Sequence, residues 1–322
     1  MYVNRSILAA SAMLVSVAAT SIALAADYPT RPVSVIVAFP PGAPNDLIVR
    51  LIAAPFAAAM TQPLIAENRA GAGGNLAAEL VSHAPADGYT LLATIDTVAT
   101  VNPRLYRKLS FKADADLRPV IYLANTAQTL VCNPSVPVKT VAEFIAYAKT
   151  HDLDYASGGQ GTPGHLSAEL FIAATGLKMN HVPYKGPSPA AQDVIGGQVP
   201  CGFLATPVVM PYVKSGRLNA LGVTSVKRVS IAPEVPTIAE AVPGYEASFG
   251  ELLLVPTGTP DDLVKRLNET IVKILQQPDV RERMLALDLE FVANTPAEAS
   301  ARMKRERQKW SAIIDRLGLQ LE

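Results

Sequence analysis

The sequence predicts an α/β protein of two lobes, each a mostly parallel sheet flanked by helices. Three observations point there. Strand-like and helical runs alternate along most of the chain, the pattern of parallel strands covered by helices on both faces. The length, 322 residues, exceeds what one hydrophobic core usually supports. A strand, a small-residue loop and a helix follow one another near residue 40 and again near residue 158. Two lobes that each aim a loop and a helix N-terminus at a shared cleft would explain that recurrence, although the two stretches share little sequence beyond it.

The chain opens with "MYVNRSILAASAMLVSVAATSIALAADYP". Arg5 supplies a positive start, residues 7–22 are apolar or small, and Ala23-Leu24-Ala25 has the small-x-small form of a cleavage site. Residues 1–25 therefore read as a secretory signal peptide rather than a retained helix. Cleavage there leaves 297 residues with 27 basic and 28 acidic side chains, a net charge of −1. That balance gives no electrostatic case for nucleic acid or an anionic membrane. No later apolar run is long enough to span a bilayer. The expectation is an exported, periplasmic protein.

The strands expected in order are "VSVIVAF", "PLIAENR", "YTLLAT", "RPVIYLA", "TLVCNP", "LDYASG", "NHVPY", "PCGFLA", "NALGVTS" and "ELLLVP". Between them, helical patterns cover 46–60, 76–82, 140–150, 165–174 and 189–195. In "TPDDLVKRLNETIVKILQQ", Thr259 is placed to cap a helix, Pro260 suits its first position, and Asp261 and Asp262 sit at the positive end of its dipole. Leu263, Leu267, Ile271 and Ile274 share one face of it. Two further helices follow at 278–286 and 296–317. The two cysteines, Cys132 and Cys201, lie in apolar strand-like stretches. An exported chain permits a disulfide between them, and two buried thiols are the alternative.

"LDYASGGQGTPGHLSAELF" contains Gly159, Gly161 and Gly164 in a literal G-x-G-x-x-G. The dinucleotide reading fails: the next strand ends at Lys185 with no acidic residue for a ribose, and the motif is not in the first βαβ unit. What survives is a helix start, with Thr162 as cap and Pro163 in first position, whose free N–H groups suit a carboxylate. A purely structural turn is the alternative. In "ENRAGAGGNLAAEL", Asn75 is expected to cap a second helix in a structural role. The four histidines, His83, His151, His165 and His181, have no metal-ligand spacing, so no metal or cofactor is expected. His165 is expected near the cleft and His181 in a structural role. A scattered Ser/His/Asp triad, hence a secreted hydrolase, is the alternative from a different class.

Taken in order, "YPTRPVSVIVAFPPGAPND", "ENRAGAGGNLAAE", "APADGYTLLAT", "VNPRLY", "YASGGQGTPGHLSAELF", "VPYKGPSPA", "GGQVPCGF", "APEVPTIAEAVPGYE" and "PTGTPDDLVKRLN" are highly specific. Over nearly all of its mature length the chain resembles the periplasmic solute-binding proteins of tripartite tricarboxylate transporters, also called Bug proteins. The resemblance implies a two-lobed Venus-flytrap fold, with residues 26–124 and 246–322 in one lobe and 125–245 in the other. It implies reversible capture of a small carboxylate by a monomer, without catalysis, and delivery to membrane transporter subunits; service to a sensor kinase is a second outlet.

Carried onto this chain, the resemblance places ligand contacts in four loops. The first follows the first strand, with Phe39, Ala43, Pro44, Asn45 and Asp46. The second is the Gly-rich loop, with Ser157, Gly159, Gln160, Gly161 and Thr162, and His165 just behind it. Ile95, Asp96 and Thr97 make the third, and Leu204 and Ala205 the fourth. The chain departs from the family where Ala43-Pro44-Asn45-Asp46 replace a Gly-rich row, where Asp96 replaces a small neutral residue, at Leu204-Ala205, and at Glu251. These changes suit a ligand with one carboxylate and an amine, or a neutral or aromatic one. The alternative is that Asp96 and Glu251 point away from the ligand into structural pairs.

Overall fold

A computed structural model describes residues 28–321, so the expected signal peptide lies outside the described residues. The first lobe begins with β1 (Val33–Val37), α1 (Pro44–Met60), β2 (Leu64–Asn68), α2 (Asn75–Ser82) and β3 (Thr90–Ile95). Two helical turns, Thr97–Thr100 and Asn102–Leu105, lead on to β4 (Leu117–Cys132). The second lobe adds α3 (Val141–Ala148), β5 (Leu153–Ser157), α4 (Pro163–Thr175), β6 (Met179–Pro183), α5 (Pro187–Ile195), β7 (Cys201–Ala205), α6 (Thr206–Lys214) and β8 (Asn219–Val223). The chain returns through β9 (Ser248–Pro256) and ends with α7 (Asp261–Leu275), α8 (Pro278–Ala286), β10 (Glu290–Phe291) and α9 (Pro296–Leu317).

The hydrogen-bonded strand order is β2-β1-β3-β9-β4-β7-β5-β6, with β8 and β10 also on β4. The outer strands are parallel: β1 to β2 and β3, and β5 to β6 and β7. The long strands β4 and β9 run antiparallel at the junction. "RPVIYLA" and "TLVCNP", expected as two strands, are one strand of sixteen residues. Its first part pairs with β9 in one lobe, up to Ala127 opposite Ser248. From Gln128, opposite Ala205, it pairs with β7, and from Thr129 also with β8. Residues 125–128, which lay between the two expected runs, belong to this strand, and Thr126 and Gln128 are buried. The β4–β9 register slips between Pro119 and Ile121. A proline has no N–H to give the ladder, so a slip there costs least.

Two clusters of buried side chains fill the first lobe, among them Val35, Ile52, Phe56 and Leu267 in one and Leu92, Val98 and Leu252 in the other. Two more fill the second, around Phe144, Phe171 and Phe203 and around Val131, Val194 and Met210. α9 belongs to both lobes. Its Ala299 and Met303 pack into the first-lobe core, while Trp310 and Ile314 join the second-lobe cluster, the indole stacked 5.2 Å from the Phe249 ring. The helix begins with a capping box in which Thr295 and Glu298 satisfy each other's backbone N–H. Cys132 and Cys201 face each other across β4 and β7 and form a disulfide.

Some expected caps differ. α2 starts at Asn75, with Gly74 as its cap, and Asn75 uses its side-chain oxygen to accept from Asn102 at 2.6 Å. Thr162 is the cap residue of α4 by backbone conformation, but its hydroxyl donates to the Gly159 carbonyl at 2.7 Å instead of accepting from the helix. α7 starts one residue later than expected, with Pro260 in the cap position.

Candidate functional site

Four helices begin at the junction of the lobes. α1, α4, α5 and α6 each carry proline in the first or second position, where the missing N–H forfeits no helical bond. Their starts line one cavity of about 30 Å3, through Ala43, Pro44 and Asn45, through Thr162, Pro163 and Gly164, through Pro187, and through Ala205. Phe39, Ile95, Gln128, Gly158 and Glu251 complete the wall. No Lys, Arg or His lines it. Four positive dipole ends in an apolar wall attract an anion without a cationic side chain.

The loop before α1 is fixed by Asp46, itself buried. Its carboxylate accepts from the Gly42 N–H at 2.9 Å, from Arg50 Nε at 3.0 Å and from Asn68 Nδ2 at 2.9 Å. Burial alone would raise its pKa. The hydrogen bonds from Arg50, Gly42 and Asn68 outweigh burial and hold the carboxyl below its usual range. Asp46 thus faces back into its own loop, while its neighbours Pro44 and Asn45 face the cavity.

The opposite jaw is the Gly-rich turn between β5 and α4. Ser157 Oγ lies 2.6 Å from His181 Nε2 and accepts from the Gly159 N–H at 3.1 Å. The Gly161 N–H donates to His165 Nδ1 at 3.2 Å, which leaves the ring proton on Nε2, 3.8 Å from Glu169. The His165, His181 and Tyr155 rings stack in a row, with centroids 4.3 and 4.9 Å apart. Burial pushes His165 down to about 3, helped by His181, and pushes His181 down to about 4. Both rings are neutral at physiological pH and hold the turn from behind. His165, Ser157, Gly159, Gln160 and Gly161 are absent from the cavity wall, and Gly158 and Thr162 represent that loop there.

The floor comes from the first-lobe sheet. Ile95 pairs directly opposite Glu251 across β3 and β9. Directly opposed residues share a face, and both line the cavity. Asp96 and Gly250, one residue along each strand, take the other face. The Asp96 N–H donates to the Gly250 carbonyl at 2.8 Å, and Asp96 Oδ2 accepts from the Gly250 N–H at 3.0 Å. A side chain at Gly250 would strike the Tyr122 ring and Arg302 of α9. Asp96 therefore sits under α9. Burial pushes its carboxyl up to about 7 against the opposing pull of Arg302. Thr97 is fully buried beside it, and Leu204 lies in the second-lobe core next to Ala205. Glu251 is fully buried, with no hydrogen-bond partner on either carboxylate oxygen. Burial, with Asp96 close by, raises its pKa well above the usual value.

Glycines close the rim. A methyl group at Gly186 would strike the Pro40 ring, and Ser188 Oγ donates to the Pro41 carbonyl at 3.4 Å. On the other side, Cβ at Gly73 would come within 2.5 Å of the Gln160 carbonyl, which also accepts from the Tyr106 hydroxyl at 3.1 Å. The structure is thus a closed cleft. Of the residues expected from sequence, Phe39, Ala43, Pro44, Asn45, Ile95, Thr162 and Ala205 share its wall. Glu251, raised with Asp96 as a departure from the family, lines it, as does Gly158 of the expected Gly-rich loop, while Gln128, Pro163, Gly164 and Pro187 are additions. Pro163 and Gly164 lay inside the Gly-rich motif and Pro187 inside "VPYKGPSPA". Gln128 carried no signal, because it lies between the two runs expected as separate strands.

A family model described as "Tripartite tricarboxylate transporter family receptor" matches residues 48–319. Protein BugT of Bordetella pertussis is 33% identical over 321 residues, covering 98% of each chain. Among solved structures, R. palustris Rpa4515 with adipate superposes with a TM-score of 0.88 at 33% identity, covering 91% of this chain and 99% of that one. The periplasmic binding protein BugD superposes with a TM-score of 0.87 at 29% identity, covering 92% and 100%.

Proposed function

The chain belongs to the tripartite tricarboxylate transporter receptor family, and from that premise we propose that it captures a small organic carboxylate between its lobes in the periplasm and hands it to a membrane transporter of that type. The observation that carries this reading is the convergence of four helix N-termini on one cavity without a cationic side chain. The similarity to a protein solved with adipate supports the ligand class. In this reading residues 28–124 and 246–321 move as one body and 125–245 as the other. A carboxylate bound to both jaws stabilises the closed form by the contacts it makes only there. The transporter then meets a closed, loaded receptor.

Thermal shift and calorimetry with mono-, di- and tricarboxylates, amino acids and aromatic acids test the reading. A ligand at 100 times its Kd adds about 2.7 kcal/mol of stability. Expected is one-to-one, saturable binding of a carboxylate with a smaller radius of gyration in solution scattering. Binding of none of these acids would overturn it. The 2.6 Å contact between Ser157 and His181 is the observation that favours a hydrolase. Ser157 is fully buried, and its hydroxyl also serves the Gly159 turn, so we read the pair as a brace for the loop. Turnover of an ester or amide by the purified protein, lost in Ser157→Ala, would reverse that reading.

A further inference from the structure

We propose that Glu251 selects the ligand, and that the ligand carries, besides the carboxylate held by the helix starts, a protonated amine that pairs with Glu251. The inference rests on the carboxylate-capture reading above and goes further by naming the second functional group.

The polar side chains of the cavity wall are Asn45, Gln128, Thr162 and Glu251. Three of them are engaged with the protein. Asn45 accepts from the Asp46 N–H at 3.0 Å and donates to the Ala93 carbonyl at 3.4 Å. Gln128 Nε2 donates to the Ala127 carbonyl at 3.2 Å, and Thr162 donates to Gly159. Only Glu251 presents polar atoms with no partner, and it is fully buried. An ionised carboxylate in that position without a counter-charge costs several kcal/mol, so the free protein holds it neutral. A ligand ammonium supplies the missing charge and donors; Glu251 then gives its proton to solvent and accepts from the ammonium. A second ligand carboxylate at the same spot would place two acids together in an apolar wall, where at least one must stay protonated.

The fold also fixes where the ends lie. Glu251 comes from the first-lobe floor opposite Ile95, whereas three of the four helix starts, those of α4, α5 and α6, belong to the second lobe. A molecule with an amine at one end and a carboxylate at the other therefore bridges floor and far jaw. Discrimination against diacids follows from the same residue that attracts the amine.

The test is calorimetry on the mature chain with two matched sets. The first contains 2-aminohexanoate, 6-aminohexanoate, hexanoate and adipate; the second contains 2-aminobutanoate, 4-aminobutanoate, butanoate and succinate. In at least one set an amino acid is expected to bind about ten-fold or more tightly than both the plain acid and the diacid, a difference of about 1.4 kcal/mol. In Glu251→Gln that amino acid falls to within about three-fold of the plain acid. A diacid or plain acid that binds as tightly as the amino acids overturns the inference and leaves carboxylate capture standing. So does an amine preference that survives Glu251→Gln. Failure of all eight to bind overturns the inference, and the wider acid panel above then decides the reading beneath it. The wild-type ranking decides the matter even if the variant does not fold.

Discussion

Asp96 is one residue through which pH acts on the fold. Buried under α9, its carboxyl is pushed up to about 7, against about 4 in an unfolded chain. The folded protein thus binds this proton more tightly than the unfolded one. Its contribution is fully present below pH about 4 and is lost as pH rises through about 7. Glu251 is raised as well, with the same sign, by its burial and by the nearby Asp96. Asp96→Asn holds the neutral form at every pH. Urea unfolding is expected to show the variant gaining on wild type between pH 4 and pH 8, by up to about 4 kcal/mol. A constant difference across that range would mean that Asp96 ionises in the fold without penalty. The sequence flagged Asp96 and Glu251 together as unusual acids, but not that one faces the cleft and the other does not. That distinction is a matter of strand parity: Ile95 and Glu251 are in register, and register is set by partners far away in the chain.

Among the elements, the disulfide is the clearest energetic device. It joins β4 to β7 and closes a segment of 69 residues. In the chain-entropy picture such a loop stabilises by about 4 kcal/mol. Replacing both cysteines by serine is expected to lower the unfolding midpoint by several degrees, read by circular dichroism, with ligand affinity kept within a few-fold because neither cysteine lines the cleft. Loss of binding in a folded variant would show that the bond also sets the jaw geometry. Most elements were legible in the sequence because each carried a local signal. The prolines that open α4, α8 and α9 and the amphipathic stripe of α7 are examples. β4 was divided in two because Asn125, Thr126 and Gln128 are polar. The burial of Thr126 and Gln128 depends on β9, β7 and Thr224, contacts that no local window contains. α6 went unread for a related reason, since its start, Thr206-Pro207, follows a strand with no intervening turn.

For the whole molecule, closure depends on how nearly the two rims approach. Gly186 has extended backbone that any residue adopts, so the reason for glycine there is contact with Pro40. Gly186→Ala is expected to hold the lobes apart. It should weaken ligand binding by about ten-fold or more, equivalent to about 1.4 kcal/mol, with the unliganded melting temperature nearly unchanged. Calorimetry with scattering would check it, and an unaltered Kd would show that the rim yields freely. The cleft as a whole was half legible. Loops rich in Gly and Pro after strands pointed to both jaws, as they do in many α/β proteins. Which backbone and side-chain groups reach inward was not legible, because Ser157 and His165 turn into a ring stack completed by His181 from another strand.

The unbroken course of β4 has a mechanical consequence. Asn125, Thr126 and Ala127 are laddered to Gly250, Phe249 and Ser248, and Gln128 to Ala205, so no residue at the crossing is free to rotate alone. Opening must be taken up as a change of strand twist spread over several paired residues. The crossing acts as a torsion spring, with a rest angle set by the hydrogen-bonded ladder and not by the length of a linker. A loaded receptor works against or with that spring, and its stiffness is part of what the ligand's contacts have to match.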